Sequence, residues 1–296
     1  MFNVLLLRAP SQDTENPDRY ESTFTASGYE SLSIPVLETI FTNIASLTDI
    51  LRHDAEYEAV IITSGRACEA WSQVVDTLEN EQGSRQESEW SSIPFYVVGS
   101  STASALNAIR STHPHSPLAP TDIRGESSGT SEQLARFILA DLESSPRSNR
   151  KPFLYLTGDK NRDTLPDILR DGNVQLAPLQ VYRTQGSSRF PEDLKLALES
   201  SSREGNSNGW WIVFFAPSAA EFVTPFLRHH FDLGAMDPTA STRLPARIAS
   251  IGPTTSTFLR DKLNLRVDAE AVKPKPDELL RAIVASDNLE PMDSSV

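Results

Sequence analysis

The apolar residues of this chain come in short runs: Val4–Leu7, Ala59–Ile62, Phe95–Val98, Phe153–Leu156 and Trp211–Phe215, all unbroken, and Ile248–Ile251, interrupted only by Ser250. Such runs, too short for helices and bounded by turn residues, predict strands covered on both faces. Each later run meets a glycine- or hydroxyl-bearing turn and then a helical pattern. Thr63-Ser64-Gly65 precedes a helix over 66–78 with Ala67, Ala70, Trp71, Val74, Val75 and Leu78 on its apolar side. Gly99-Ser100-Ser101-Thr102 precedes a helix over 103–109. Ala216-Pro217-Ser218 leads into a helix through Phe226, and Gly252-Pro253-Thr254-Thr255 into one through Leu259. After Thr157-Gly158-Asp159 a helix is expected that Thr164 caps, Pro166 and Asp167 open and Gly172 closes with a left-handed turn. Pro178–Thr184 predicts the next strand. Ile44–Leu51 and Glu132–Leu142 also read as helices.

The same order of elements occurs twice. Thr63 and Gly99 are 36 positions apart, as are Ala216 and Gly252; Thr63 to Thr102 and Ala216 to Thr255 are both 39. Two copies of a strand–turn–helix half predict two similar α/β domains, each a parallel sheet flanked by helices. Right-handed crossovers then gather the turns of each half on one rim, at the carboxyl ends of its strands. Two facing rims would form a cleft. The opening strand Val4–Leu7 has no partner in the first copy, so it is assigned to the last third. The expected domains are 1–35 with 184–296, and an inserted 39–177, with crossings over 34–40 and 177–184 as linker strands. Residues 11–33 are polar with scattered aromatics. The polar stretches 80–92, 143–150 and 199–209 read as loosely packed loops, and the tail after Ala285 as frayed.

A chain of 296 residues with 39% hydrophobic and 23% charged positions is globular, with no apolar run long enough to span a membrane. The opening MFNVLLLRAP reads as a first strand and not a signal peptide. The single cysteine, Cys68, excludes an internal disulfide and fits a reducing, cytoplasmic setting. A net charge of −13 argues against nucleic acid or an anionic membrane as partner, but not against a small anion held by local donors.

The histidines His53, His113, His115, His229 and His230 lack metal-ligand spacing, Cys68 falls inside a helix, and no nucleotide-binding glycine motif is present. The turns are the stronger candidates. Each hydroxyl there could simply cap a helix. Together, Thr63, Ser64, Ser101, Thr102, Ser128 of the GESSGT turn, Ser218, Thr254 and Thr255 supply donors suited to a ligand with several carboxylates. Gly158-Asp159-Lys160, with Arg162, adds charge beside a helix N-terminus. Tyr182, just beyond, is either a packed strand aromatic or a phenol placed to give a proton to a leaving group.

In order, VLLLRAP, VIITSGRACEAW, VVGSSTASAL, LTGDKNRDTLPDILRDGNV with VYRT, VFFAPSAAEF, IASIGPTTSTFL and AEAVKPKPDELLRAIV resemble the uroporphyrinogen-III synthase family. The resemblance implies two α/β domains joined by a two-stranded antiparallel ladder, with the substrate in the cleft. It implies a cofactor-free lyase reaction, in which hydroxymethylbilane loses its hydroxyl and closes to uroporphyrinogen III with ring D inverted. Tyr182 matches the family's tyrosine at the departing hydroxyl; Arg8, Gly99, Gly158, Lys160, Gly252 and the hydroxyls above fall on the binding turns. Ala216 and Lys275 depart from the family's usual hydroxyl residues. A monomer is expected, with transient contact with hydroxymethylbilane synthase. The alternatives are a two-lobed receptor that closes on an anion without chemistry, and a phosphate-handling transferase using Lys160 and Arg162.

Overall fold

The structure is a computed structural model and describes residues 2–11, 17–53, 56–81, 89–144, 150–203, 209–233 and 243–289. The chain opens with β1 (Asn3–Leu7), α1 (Arg19–Ala26), β2 (Glu30–Ser33) and β3 (Leu37–Phe41). It continues through α2 (Ile44–Arg52), β4 (Ala59–Ile62), α3 (Gly65–Asn80), β5 (Pro94–Val97), α4 (Gly99–Thr112), β6 (Asp122–Arg124), α5 (Ser131–Ser144), β7 (Phe153–Thr157), α6 (Thr164–Asp171) and β8 (Leu176–Gln180). Then come β9 (Tyr182–Gly186), α7 (Phe190–Arg203), β10 (Trp210–Phe214), α8 (Pro217–His230), β11 (Phe231–Asp232), β12 (Leu244–Ser250), α9 (Pro253–Leu263), β13 (Ala269–Glu270) and α10 (Pro276–Leu289). Two compact units result: Met1–Glu38 with Gln185–Val296, and Thr39–Thr184. β3 and β9, where the chain passes from one unit to the other, pair as a two-stranded sheet.

In the contiguous unit the strands run in the order β6-β5-β4-β7-β8, and every pairing is parallel. Alternate residues of one apolar run serve opposite faces. Val60 and Ile62 pack with Trp71 of α3 and Leu106 of α4, while Ala59 and Ile61 pack with Leu134 of α5 and Leu169 of α6. This is why the run is unbroken: there is no wet face for a polar residue to occupy. Burying each such aliphatic chain contributes about 1.5–3 kcal/mol relative to leaving it in water.

The other unit follows the same plan, with its strands parallel in the order β11-β12-β10-β1-β2 and β13 also on β12. Leu5, Leu7, Ile212 and Phe214 face Phe190 of α7 and Val223 of α8, and Val4, Leu6, Trp211 and Val213 face Phe24 of α1 and Leu279 of α10. The internal repeat therefore extends beyond the two turns that reveal it. β13-β12-β10-β1-β2 reproduces β6-β5-β4-β7-β8, but circularly permuted, so that the first strand of the chain takes the place of β7. The pairing of β1 with β10, as expected for Val4–Leu7, completes the sheet.

Several local expectations are corrected. Residues 11–33 contain α1, capped by Asp18, whose carboxylate accepts the N–H groups of Tyr20 and Glu21, and β2. Pro178–Thr184 is not one strand. β8 ends at Gln180, and Val181 donates its N–H to the Thr157 carbonyl in the parallel sheet while its own carbonyl accepts the Thr42 N–H beside the two-stranded one, so the chain changes sheets there. Pro178 is tolerated because β8 is an edge strand. Thr164 is the first residue of α6 and does not cap it; Asp163 precedes it without a side-chain bond to the helix.

Gly172 has φ −82°, and the left-handed residue is Asn173 (φ 58°). What excludes a side chain at Gly172 is Leu139, whose Cδ2 lies 2.3 Å from where a Cβ would be. Gly99–Thr102 is the first turn of α4 and not a loop before it; Gly99, at φ +77°, is where glycine is favoured.

The polar stretches are shorter than expected. Trp90, in a short 3-10 turn at Glu89–Ser92, is fully buried against Trp71, α7 runs to Arg203, and Arg150 pairs with Glu58 at 2.8 Å. The tail does not fray at Ala285. α10 continues to Leu289 because Asp287 accepts hydrogen bonds from Tyr29 (2.5 Å) and Trp211 (3.1 Å) and pairs with Arg247. The rest of those stretches, 82–88, 145–149 and 204–208, and the end of the tail, 290–296, lie outside the described residues. No helix among the described residues is long and apolar enough to cross a membrane.

Candidate functional site

Because each sheet is parallel, the turns of each unit collect at the carboxyl ends of its strands. In the contiguous unit these are the turns after β4, β5, β6 and β7. Thr63 and Ser64 follow β4, both half-buried; Ser64 accepts the Arg66 N–H (3.3 Å) and so caps α3. The simple capping role ends there among the four repeated turns, since α4, α8 and α9 begin without a side-chain cap bond. Ser101 on α4 is exposed, whereas Thr102 is buried. Ser128 is buried too, with its N–H on the carbonyl of Gly125.

After β7, Gly158 is buried and Lys160 and Arg162 are exposed. The Gly158 N–H and carbonyl are both taken by the Asn161 side chain, at 3.3 and 2.6 Å. That turn is closed on itself, and its charge is carried by the lysine and arginine around it.

Tyr182, the first residue of β9, packs against this turn. A Cβ on Gly158 would stand 2.5 Å from the tyrosine Cζ and 2.7 Å from its hydroxyl oxygen. The Arg66 guanidinium stands 5.7 Å from the Tyr182 ring centroid and donates to Thr184 Oγ1 at 3.0 Å. Thr184 in turn gives its N–H to Asp159 at 3.2 Å. A second phenol is close by: burial raises the pKa of Tyr155, its bond with the Thr63 side chain works against this, and the charges of Tyr182 and Asp163 add to it.

In the other unit, Arg8 at the end of β1 is committed internally. It donates to Asp18 at 2.7 Å and stacks on Tyr20 (4.9 Å) and Phe215 (5.7 Å). Burial pushes the Asp18 carboxyl up, but bonds from Arg8 and from the N–H groups of Ser11 and Glu21 outweigh it and hold the carboxyl below its usual value. Ser218 and Thr254 are exposed at the starts of α8 and α9; Thr255 is buried, as its counterpart Thr102 is. Gly252 is extended at φ 167°. Cys68 is buried and its thiol pushed up to about 12 by desolvation, so it is no nucleophile at neutral pH. Among the described residues no three His, Cys, Asp or Glu side chains are grouped to hold a metal.

Arg66, Tyr155 and Asp18 were not singled out from the sequence. Asp18 had a signal, an N-cap residue type immediately before a helical stretch, but Arg66 and Tyr155 had none, since their partners lie far away in the chain.

Two units, each a parallel sheet flanked by helices with hydroxyl-bearing turns at the carboxyl ends of its strands, define the class: a two-unit α/β protein built on an internal repeat. The family model described as uroporphyrinogen-III synthase HemD matches residues 18–281, and the chain belongs to that family, whose members are enzymes of tetrapyrrole synthesis. Uroporphyrinogen-III synthase of Saccharomyces cerevisiae is 28% identical over 295 residues, covering 95% of this chain and 94% of the yeast protein. The Schizosaccharomyces pombe uroporphyrinogen-III synthase is 26% identical over 288 residues, covering 97% and 98%. Among solved structures, uroporphyrinogen-III synthetase from Helicobacter pylori matches with a TM-score of 0.48 and 17% identity over 96% of this chain and 99% of that one.

Proposed function

We propose that this chain catalyses the family's reaction, the closure of hydroxymethylbilane to uroporphyrinogen III with ring D inverted, and that Tyr182 is its catalytic residue. The observation that carries the assignment of Tyr182 is its seat: a phenol against a glycine turn with a guanidinium over its ring, on a rim of hydroxyl and N–H donors. The phenolic proton passes to the substrate hydroxyl as the C–O bond breaks, and water leaves with the bonding electrons. The cationic methylene left behind is stabilised by its own pyrrole nitrogen. Ring D attacks through its substituted carbon to form a spiro intermediate, which opens and recloses with the ring inverted. The proton lost when ring D regains its aromaticity returns to the phenolate. Substrate and products then balance as uroporphyrinogen III plus water.

No cofactor is needed for this chemistry, because the pyrroles supply the electrons. Thr63, Ser64, Ser101, Thr102, Ser128, Lys160, Ser218, Thr254 and Thr255, with the backbone at Gly99 and Gly252, bind the carboxylate arms, while Gly158, its backbone taken by Asn161, serves as the seat of Tyr182. Arg8, fixed by Asp18, presents its remaining N–H groups. Since the free bilane closes by itself to the wrong isomer, the protein's main contribution is to hold one conformation. We read it as a cytoplasmic monomer that receives the bilane in transient contact with hydroxymethylbilane synthase, a hand-over favoured by the short life of the free substrate.

Freshly prepared hydroxymethylbilane incubated with the purified protein is expected to give mainly the type III isomer on chromatographic separation. A product no richer in type III than the protein-free control would reject the assignment.

A further inference from the structure

We infer that Arg66 is a positioning residue for Tyr182, anchored by Thr184, and that it stabilises the phenolate formed when Tyr182 gives up its proton; this rests on the proposed role of Tyr182. Arg66 is the second residue of α3, and its backbone N–H is used in the Ser64 cap, which sets where the side chain starts. Tyr182 and Thr184 are two apart in β9, so their side chains emerge on the same side of the strand. Arg66 reaches both at once, with the guanidinium 5.7 Å from the ring centroid and Nη1 bonded to Thr184 Oγ1 at 3.0 Å. The circuit closes through Asp159, which takes the Thr184 N–H, and Gly158, on which the ring rests.

This arrangement has a chemical consequence. Before proton transfer the cation meets the Thr184 hydroxyl and the face of the phenol ring, a weak attraction at an exposed site. Once the proton leaves, the same guanidinium stands beside an anion. The interaction is stronger after proton transfer than before it, and a difference of that sign lowers the barrier. A cation free to bind a substrate carboxylate would instead strengthen ground-state binding. Because Thr184 already occupies Nη1, Arg66 is fixed towards the ring, and its effect belongs in turnover and not in affinity.

The experiment is a double-mutant cycle on the full chain, with turnover, KM, isomer ratio and thermal unfolding measured for the wild type, Arg66→Gln, Tyr182→Phe and the double variant. Tyr182→Phe is expected to lose on the order of 10²-fold in kcat, as for loss of a general acid. Arg66→Gln should lose about tenfold in kcat, as for a displaced catalytic group, with KM and the unfolding midpoint near wild type. The double variant should be no slower than Tyr182→Phe, because the two residues act as one unit. Thr184→Val removes the anchor while keeping the cation and should fall between wild type and Arg66→Gln.

A rise in KM with kcat intact, no change at all, or losses that multiply in the double variant would each overturn the inference, since Arg66 would then act without Tyr182. A wild-type chain without type III product sinks the functional assignment itself. An active wild type with an indifferent Arg66→Gln sinks only the role of Arg66.

Discussion

Gly158 is glycine because Tyr182 fills the space that a side chain would need. Gly158→Ala puts a methyl 2.5 Å from the ring, and since backbone lies on one side and a packed aromatic on the other, the ring has to move. The expected cost is about 1–3 kcal/mol in unfolding free energy, typical of overpacking, and at least a tenfold loss of turnover, because about an ångström of misplacement is enough. Gly172→Ala is the control. It creates a similar clash, with Leu139 at 2.3 Å, far from any proposed substrate contact, so stability should fall while turnover stays. Equal turnover in both variants would show that the seat of Tyr182 is not needed. At this scale the sequence marked Tyr182 and Gly158 through their turn and strand signals. It did not mark Arg66, whose bond to Thr184 spans 118 residues.

At the scale of elements, the two units repeat a device near the ends of equivalent helices. On α5, Asp141 takes the hydroxyl of Tyr96 (2.6 Å) and pairs with Arg124 (2.7 Å); on α10, Asp287 takes the hydroxyl of Tyr29 (2.5 Å) and pairs with Arg247. Each clasp ties a helix to its sheet. Burial raises the Asp141 carboxyl, but the bonds from Tyr96 and Arg124 outweigh it, and the folded value lies below the ordinary 3.8. A carboxyl with a depressed folded pKa stabilises the fold fully above its unfolded value and loses that contribution as pH falls through the folded one. Wild-type stability, followed by urea unfolding, should therefore drop from about pH 4 downwards. Asp141→Asn should be less stable at neutral pH and lose less on acidification; parallel pH profiles would refute the clasp's share. Neither clasp was legible beforehand, since each joins a helix residue to partners far away in the chain, Tyr96 and Arg124 from strands in one and Arg247 from a strand with Tyr29 just before β2 in the other. The strands themselves were legible, because a face-to-face covered strand has to be apolar throughout.

For the whole molecule, the circular permutation makes the two units unequal in how they depend on the chain. Thr39–Thr184 is continuous and has packed clusters on both faces of its sheet. Expressed alone, it is expected to unfold cooperatively with urea and show dispersed amide resonances. Gln185–Val296 alone lacks β1 and β2, leaving the β10 edge open and Phe24 missing from its core, and should not fold cooperatively. A cooperative 185–296 fragment, or a molten 39–184 one, would count against this division.

The sequence by itself determined the buried strands, the glycine and hydroxyl turns after them, the repeat and the family, because these depend on neighbours a few residues apart and on the local periods of strand and helix. Tertiary structure alone decided that β1 joins β10 and β2 in the place of β7, that Val181 switches the chain from one sheet to another, and which partners surround Tyr182. Those outcomes depend on the register between strands far apart in the chain, and a polar side chain at a turn carries no local mark of the partner that the register will bring to it.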